Sequence, residues 1–167
     1  MKRALFGLIC CLLVASGCAM DRSAQNKMII NEAKKLNITA KETTRGVEIN
    51  FPEVLLFDFN SDQLRTDSQI KMQEIAAILN KQGIDSRGLA VEGHTDSLGT
   101  PEYNLMLSQR RAESVARSLV FSGVARERMK VKGLGMTAPI AANTHPNGTD
   151  NPEGRTKNRR VEVIVEN

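Results

Sequence analysis

The sequence has no tryptophan, one tyrosine and two histidines, and these shortages exclude several classes of function. A nucleic-acid-binding protein usually combines a strongly basic surface with aromatic side chains that stack on bases. This chain has a formal net charge of only +4, and only 4% of its residues are aromatic. The composition therefore argues against a nucleic-acid-binding protein.

The three cysteines all lie near the N-terminus: Cys10, Cys11 and Cys18. A hydrolase needs either a nucleophile with a base or a metal ion with an activated water. The rest of the chain has no thiol and no Gly-x-Ser-x-Gly sequence. His94 and Asp96, even with His145, are too few ligands for a typical metal site. We therefore expect no enzyme, metal or cofactor, and we expect His94 to bond backbone groups at a strand end.

Residues 1–17 have the pattern of a secretion signal, since Lys2 and Arg3 precede an apolar run that ends in small residues before Cys18. The run is shorter than the roughly 20 apolar residues that span a bilayer. The segment resembles a bacterial lipoprotein signal, which implies cleavage before Cys18 and lipid on that cysteine. The mature chain would then have no second thiol and no internal disulfide. The alternative is an ordinary signal with an incidental cysteine.

Removing Lys2 and Arg3 lowers the formal net charge from +4 to +2, so the mature chain is only mildly basic. In the lipoprotein class, aspartate directly after the lipidated cysteine commonly signals retention in the inner membrane. Ala19 stands there in this chain. The resemblance therefore implies an outer-membrane location facing the periplasm. Residues 18–36 are polar with a weak helical stripe, and we expect them to be a tether that can include one helix.

Residues 37–167 are predicted to form one α+β domain. Strands are predicted at residues 37–51 (as a hairpin), 54–59, 89–91, 131–134 and 160–165, and helices at 66 to about 83 and at 102–121. The continuous apolar run at 54–59 is typical of a strand that is covered on both faces. The order β-α-β-α-β followed by a loop and a final strand predicts a two-layer α/β sandwich, with helices on one face of a mixed sheet. Residues 139–157 are predicted to be a long loop.

A carboxylate and a guanidinium form the candidate site. Asp96 lies in a polar loop, and Arg111 follows fifteen residues later near the start of a helix. Together they could bind a zwitterion, because a carboxylate accepts from an ammonium and a guanidinium donates two parallel hydrogen bonds to a carboxylate. Helical periodicity puts Arg111 at the edge of the buried arc, whereas Arg110 and Arg117 point to solvent. Alternatively, Asp96 and Arg111 form a structural ion pair.

Four sequence blocks resemble the OmpA-like C-terminal domain of outer-membrane lipoproteins, including the peptidoglycan-associated lipoproteins. The blocks are Leu56–Ser61, Gly93–Asn104, Leu107–Val115 and Gly154–Val161. In that family the domain binds the diaminopimelate side chain of the peptidoglycan stem peptide without covalent chemistry. The resemblance implies that Asp96 and Arg111 are the main contacts and that the flanking contacts are Thr95, Asn104 and Arg159.

The resemblance implies that the protein tethers the outer membrane to peptidoglycan. Two departures from the family pattern motivate an alternative, an envelope adaptor whose main partner is another periplasmic or membrane protein. The segment from Asn143 to Arg155 is several residues longer than usual, and the 37–51 hairpin has no counterpart in the shortest members.

The basic residues near the C-terminus are expected to differ in their roles. Arg155 and Lys157 are expected in a solvated turn. Arg159 and Arg160 begin a strand, so their side chains point to opposite faces and only one of them can line the pocket.

Overall fold

The computed structural model describes residues 21–58 and 61–167. The predicted signal segment, Cys18 and Ala19 lie outside the described residues. The strands are β1 (Thr39–Thr43), β2 (Gly46–Pro52), β3 (Leu89–His94), β4 (Met129–Gly135) and β5 (Arg160–Glu166). The α-helices are α1 (Arg22–Lys35), α2 (Glu53–Leu56), α3 (Thr66–Leu79), α4 (Pro101–Phe121) and α5 (Pro152–Asn158), and a short 3-10 helix spans Arg126–Arg128.

The five strands form one mixed sheet in the order β1-β2-β5-β3-β4. The central strand β5 pairs antiparallel with β2 on one side and with β3 on the other. The edge strand β4 runs parallel to β3, and the edge strand β1 forms the predicted hairpin with β2. The predicted mixed sheet is therefore confirmed.

The sheet has an apolar face under the helices and a polar face on the other side. Ile49, Val163 and Val91 lie in one row across three strands and are fully buried in the core with side chains of α3 and α4. Glu92 of β3 and Glu162 of β5 lie opposite each other in the strand register. Their side chains point to the other face of the sheet, because successive residues of a strand alternate. The predicted two-layer arrangement with helices on one face is confirmed.

Residues 22–36 belong to the folded domain and not to the tether, which corrects the expected boundary at residue 37. Asp21 caps α1 by accepting a hydrogen bond of 2.8 Å from the backbone nitrogen of Ala24. Ile29 and Ala33 of α1 are fully buried in the core. The weak helical stripe in the sequence is therefore the packing face of a helix that covers the hairpin.

Over residues 54–58 the strand predicted at 54–59 is wrong, and a short helix takes its place; Phe59 lies outside the described residues. Pro52 ends β2 because it lacks the N–H group that a further ladder bond requires. The chain turns into α2, where Val54 is 63% exposed. Phe57 then makes a single bridge with Leu64. Leu56 and Phe57 are apolar because they belong to the core, and Val54 and Phe57 line the wall of a cleft, so no sheet covers this segment on both faces.

The long loop predicted at 139–157 ends earlier than expected, because its last residues form α5. Asn151 caps this helix by accepting a 3.0 Å hydrogen bond from the backbone nitrogen of Gly154, and Pro152 occupies the first turn. The buried amide of Asn158 accepts hydrogen bonds from the backbone nitrogens of Ile140 and Ala141 at 2.8 and 3.0 Å. These contacts fix the loop to the end of the sheet.

Candidate functional site

A cleft of about 530 Å³ lies at one end of the sheet, among α2, the loop after β3, the first turns of α4, and α5. Three cationic and three anionic side chains line it: Arg111, Arg155, Arg159, Glu53, Asp58 and Asp96. Apolar side chains form the rest of its wall, among them Val54, Phe57, Leu98 and Leu107. The charges of the lining side chains therefore balance, and a neutral zwitterion suits the cleft better than a net ion does.

Asp96 is a buried carboxylate that the loop after β3 holds in place. Its Oδ1 accepts a 3.0 Å hydrogen bond from the backbone nitrogen of Leu98. Its Oδ2 accepts a 2.7 Å hydrogen bond from Nη1 of Arg159 and lies 3.6 Å from Nε of Arg155. The carboxylate of Asp96 therefore contacts two guanidinium groups in the cleft, those of Arg159 and Arg155.

Arg111 is also buried, with only 3% of its surface exposed. Its Nη2 donates a hydrogen bond to Oε1 of Glu53, and its Nε donates at 3.1 Å to the backbone oxygen of Ser61. The guanidinium carbon lies 5.3 Å from the centre of the Phe57 ring. Among the described residues, the ion pair of Arg111 is with Glu53, so the alternative of a direct pair with Asp96 is wrong.

Glu53 bonds both Arg111 and Arg159 and so links Arg111 to the pair of Arg159 and Asp96, a role that was not predicted from the sequence. Its Oε1 accepts from Arg111, and its Oε2 lies 2.7 Å from Nε of Arg159. Four side chains thus alternate in charge along the cleft, in the order Asp96, Arg159, Glu53, Arg111, and we name this series the charge ladder. The signal in the sequence is a carboxylate directly before the apolar residues 54–57, and sequence alone does not bring that segment next to α4.

Thr95 and Asn104 lie in the same cleft and are almost fully buried. The hydroxyl of Thr95 donates at 3.0 Å to the backbone oxygen of Asp96. The amide nitrogen of Asn104 donates at 2.9 Å to the backbone oxygen of Leu98. Both side chains therefore hold the loop that carries Asp96.

The structure corrects the expectation for Arg155, which does not lie in a solvated turn. Its side chain is 14% exposed and pairs with Asp150 of the long loop as well as approaching Asp96. Arg155 lies in α5 and Arg159 directly follows that helix, and both side chains line the cleft. Lys157 is exposed, as expected. Through Asp150, the longer loop forms a border of the cleft.

The expected division between neighbouring arginines is confirmed. Arg110 is half exposed and pairs outside the cleft with Asp62, at 2.6 Å between Nε and Oδ2. Arg117 is also exposed. Arg160 points to the opposite face of the sheet from Arg159 and bonds Glu162 at 2.6 Å.

Comparison with known proteins identifies the family of this domain. A sequence model of the OmpA family matches residues 56–153, which is more than half of the chain. The chain belongs to the OmpA family.

The relatives of this chain include proteins that are lipoproteins by name. The chain is 34% identical over 157 residues to the peptidoglycan-associated lipoprotein of Rhizobium meliloti, covering 92% of this chain and 82% of the relative. It is 40% identical over 120 residues to the outer-membrane lipoprotein YfiB of Pseudomonas aeruginosa, covering 72% and 67%. A Gloeobacter violaceus protein named photosystem I P700 chlorophyll a apoprotein A2 is 37% identical over 141 residues, 84% of this chain, but the match spans only 15% of that protein.

Solved structures show the same fold. The cell wall anchor of the type VI secretion system (T6SS) from Pseudomonas aeruginosa superimposes with a TM-score of 0.69 at 28% identity, covering 87% of this chain and 99% of that one. The peptidoglycan-associated lipoprotein from Burkholderia pseudomallei has a TM-score of 0.54 at 33% identity, covering 66% and 86%. The expected OmpA-like fold is therefore confirmed.

The four blocks that carried the OmpA-family resemblance meet at the cleft. The first block contributes Phe57 and the second contributes Asp96. The third block contributes Arg111, and the fourth contributes Arg155 and Arg159. Residues that are up to 63 positions apart, such as Asp96 and Arg159, are thereby in hydrogen-bonding contact.

The polar face of the sheet carries a cluster of His94 with two carboxylates, which differs from the predicted grouping of His94 with Asp96. Among the described residues, His94 forms a possible metal-ligand group with Glu92 and Glu162 and not with Asp96, and His145 lies on the surface. Each carboxylate already bonds a guanidinium: Glu92 that of Arg45 and Glu162 that of Arg160. These bonds neutralise the negative charge that would attract a cation.

The expectation that His94 bonds backbone groups is wrong. Its ring is 98% buried, and neither ring nitrogen makes a hydrogen bond of good geometry. Nε2 lies 3.5 Å from Oε2 of Glu162. Strand alternation directs the ring across the polar face, away from the groups at the end of the strand.

The Glu162 carboxyl makes the free energy of unfolding of this domain depend on pH in the acidic range. Burial alone would raise its pKa, but His94 and Arg160 outweigh burial and lower the pKa from 4.5 to about 2. A carboxyl with a depressed pKa stabilises the fold fully above the unfolded-state pKa, and that contribution is lost as the pH falls through the folded-state pKa. We expect it to be lost between pH 4.5 and about 2, with a slope of up to about 1.4 kcal/mol per pH unit.

This acid dependence can be measured by urea unfolding across that pH range. The wild type is compared with Glu162→Gln, which is expected to show a shallower slope because it cannot take up the proton. Glu113→Gln is the matched control, since the Glu113 side chain is 45% exposed. Equal slopes for wild type and Glu162→Gln would contradict the assignment.

No helix in the described part of the chain is long and apolar enough to cross a bilayer.

Proposed function

We propose that this protein is an outer-membrane lipoprotein that holds the cell wall non-covalently. Lipid on Cys18 attaches one end to the membrane, and the OmpA-family domain binds the peptidoglycan stem peptide at the other. The chain's relatives include named peptidoglycan-associated and outer-membrane lipoproteins, which supports this proposal.

The charge ladder is the observation that carries the proposal. It lines the cleft with alternating carboxylates and guanidinium groups, most of them shielded from water. Hydrogen bonds between charged groups are stronger in such a setting than on the open surface. A ligand that has both charges close together can exchange partners with the ladder without leaving a buried charge unpaired.

The side chain of diaminopimelate fits this requirement. It ends in a carbon atom that bears both an ammonium and a carboxylate. Its carboxylate can accept from Arg111 while its ammonium donates to Asp96, and its methylene groups can lie on the apolar wall formed by Leu98 and Leu107. The proposal requires no covalent step, only recognition of matched charges.

Sedimentation with purified sacculi tests this function. The wild-type protein should sediment with walls whose stem peptide contains diaminopimelate, and more weakly with walls that contain lysine, whose side chain ends in an ammonium alone. We expect Asp96→Asn to bind at least about tenfold more weakly, because the amide cannot neutralise the ammonium. Asp62→Asn is the control, since Asp62 pairs with Arg110 outside the cleft.

Two outcomes would contradict the proposal. If Asp96→Asn sediments as well as the wild type does, the cleft is not the binding site. If walls with lysine and with diaminopimelate bind equally well, the ligand is not the zwitterionic end of the stem peptide. Circular dichroism spectra of both variants must match the wild type, so that a loss of binding is not a loss of folding.

A further inference from the structure

Glu53 occupies two of the three guanidinium groups that line the cleft, including that of Arg111, which the proposed function assigns to the ligand carboxylate. One of its oxygens accepts from Arg111 and the other lies 2.7 Å from Nε of Arg159. Its backbone nitrogen also donates at 2.9 Å to the backbone oxygen of Arg159, so the start of α2 is fixed to the start of β5. The Glu53 side chain is only 18% exposed, and that of Arg111 is 4% exposed.

This position makes Glu53 a competitor for an incoming carboxylate. A ligand carboxylate that bonds Arg111 must either displace the Glu53 carboxylate or lie beside it. Two anions close together in a partly buried site repel each other, because screening by water is weak there. A simple carboxylic acid brings nothing that could offset this repulsion.

A zwitterionic ligand does offset the repulsion. Its ammonium can donate to the Glu53 carboxylate, which has given up a guanidinium hydrogen bond, while its carboxylate takes the guanidinium. The exchange leaves every charge in the cleft paired. With Asp96 at the other side of Arg159, the ladder offers the ammonium an acceptor in either direction along the cleft.

We infer that Glu53 determines the specificity of the cleft, selecting ligand ends that carry an ammonium next to the carboxylate and rejecting plain carboxylates. The inference rests on the proposed function and deepens it, because it assigns the selection to a residue outside the Asp96 and Arg111 pair. Selection of this kind comes from a repulsive element built against the wrong ligand as well as from attraction to the right one.

Calorimetric titration with two small molecules tests the inference. Free meso-diaminopimelate carries two zwitterionic ends, and pimelate is the same seven-carbon dicarboxylate without the amines. We expect the wild type to prefer diaminopimelate by at least about tenfold. In Glu53→Gln, which keeps the shape but removes the negative charge, we expect the preference to fall to about threefold or less, with tighter binding of pimelate. Glu113→Gln, at an exposed position on α4 outside the cleft, should keep the wild-type preference.

Each outcome decides a different question. If the wild type prefers diaminopimelate and Glu53→Gln keeps the same preference, the inference is wrong and the proposed function stands. The inference is equally wrong if both ligands weaken by the same factor, because Glu53 would then only hold the arginines in place. If the wild type binds neither diaminopimelate nor sacculi, the proposed function fails and the inference fails with it.

Crystal structures of the wild type with each ligand decide the matter if Glu53→Gln does not fold. The inference requires the Glu53 carboxylate to bond the ammonium in the diaminopimelate complex. It also requires Glu53 to lie away from Arg111 in the pimelate complex. An ammonium held by Asp96 alone, with Glu53 still on both arginines, would overturn it.

Discussion

Replacing Arg111 with alanine is expected to weaken the binding of sacculi by about 2–5 kcal/mol. Arg111 is only 3% exposed, so a ligand carboxylate that bonds its guanidinium is largely removed from water. The substitution removes that donor and also leaves the Glu53 carboxylate without one of its two partners. A carboxylate that has lost one of two cationic partners in a shielded site disfavours the approach of a second anion, so both effects act against binding.

The neighbouring residue provides the matched control for this prediction. Arg110→Ala removes the same charge from the same helix, but Arg110 is half exposed and pairs with Asp62 outside the cleft. We expect Arg110→Ala to bind sacculi as the wild type does. Arg111→Lys keeps the charge but loses the planar pair of donors, and it should fall between the two. If Arg111→Ala and Arg110→Ala bind equally, long-range attraction by positive charge explains the binding and the cleft does not.

The substitution Gly93→Ala is expected to destabilise the fold by about 3 kcal/mol. A Cβ atom at this position would lie 2.0 Å from the backbone oxygen of Ser108 in α4. Backbone atoms cannot rotate away as the end of a side chain can, so the whole helix must move outward. The pairing of β3 with β4 shifts register between Gly93 and His94, two residues before Asp96, and so the displacement would also disturb the cleft.

Chemical unfolding of wild type and variant measures this cost. Gly148→Ala is the control, because nothing lies within 4 Å of a Cβ at that position. Its φ of +84° is in the left-handed region, so we expect a cost of about 1 kcal/mol from backbone strain alone. If Gly93→Ala lowers the free energy of unfolding no more than Gly148→Ala does, the close contact between β3 and α4 does not require glycine at position 93. Weaker binding of sacculi by folded Gly93→Ala would further connect this contact to the position of Asp96.

Local sequence patterns were sufficient to predict those helices and strands that bury one face. The alternation from Arg160 to Val165 predicted a strand, and the apolar arc of α4 separated Arg111 from Arg110. Both predictions succeeded because burial of one face imposes a period on the sequence, which is visible without knowing what covers that face. The weak stripe at Ile29 and Ala33 carried the same information, but the surrounding polar residues concealed it.

The run from Val54 to Phe59 failed for the opposite reason. Its apolar residues have no period, and such a run does not distinguish a buried strand from a segment that lies partly in the core and partly along a cleft. Pro52 carried the decisive signal, because a residue without an N–H group ends a ladder. The helix α5 was likewise concealed within a segment rich in Asn, Pro and Gly, although Asn151 and Pro152 are good residues with which to begin a helix.

The sequence by itself determined the family, the mixed sheet, and Asp96 and Arg111 as the candidate pair, and the family resemblance added Thr95, Asn104 and Arg159; all five line one cleft. Only the tertiary structure decided which charges meet there. Asp96 bonds Arg159 while Arg111 bonds Glu53, across separations of 63 and 58 residues. The physical reason is that charge pairing depends on distances of a few ångströms between elements far apart in the chain. Periodicity reports which face of an element is buried, but it carries no information about which side chain lies opposite.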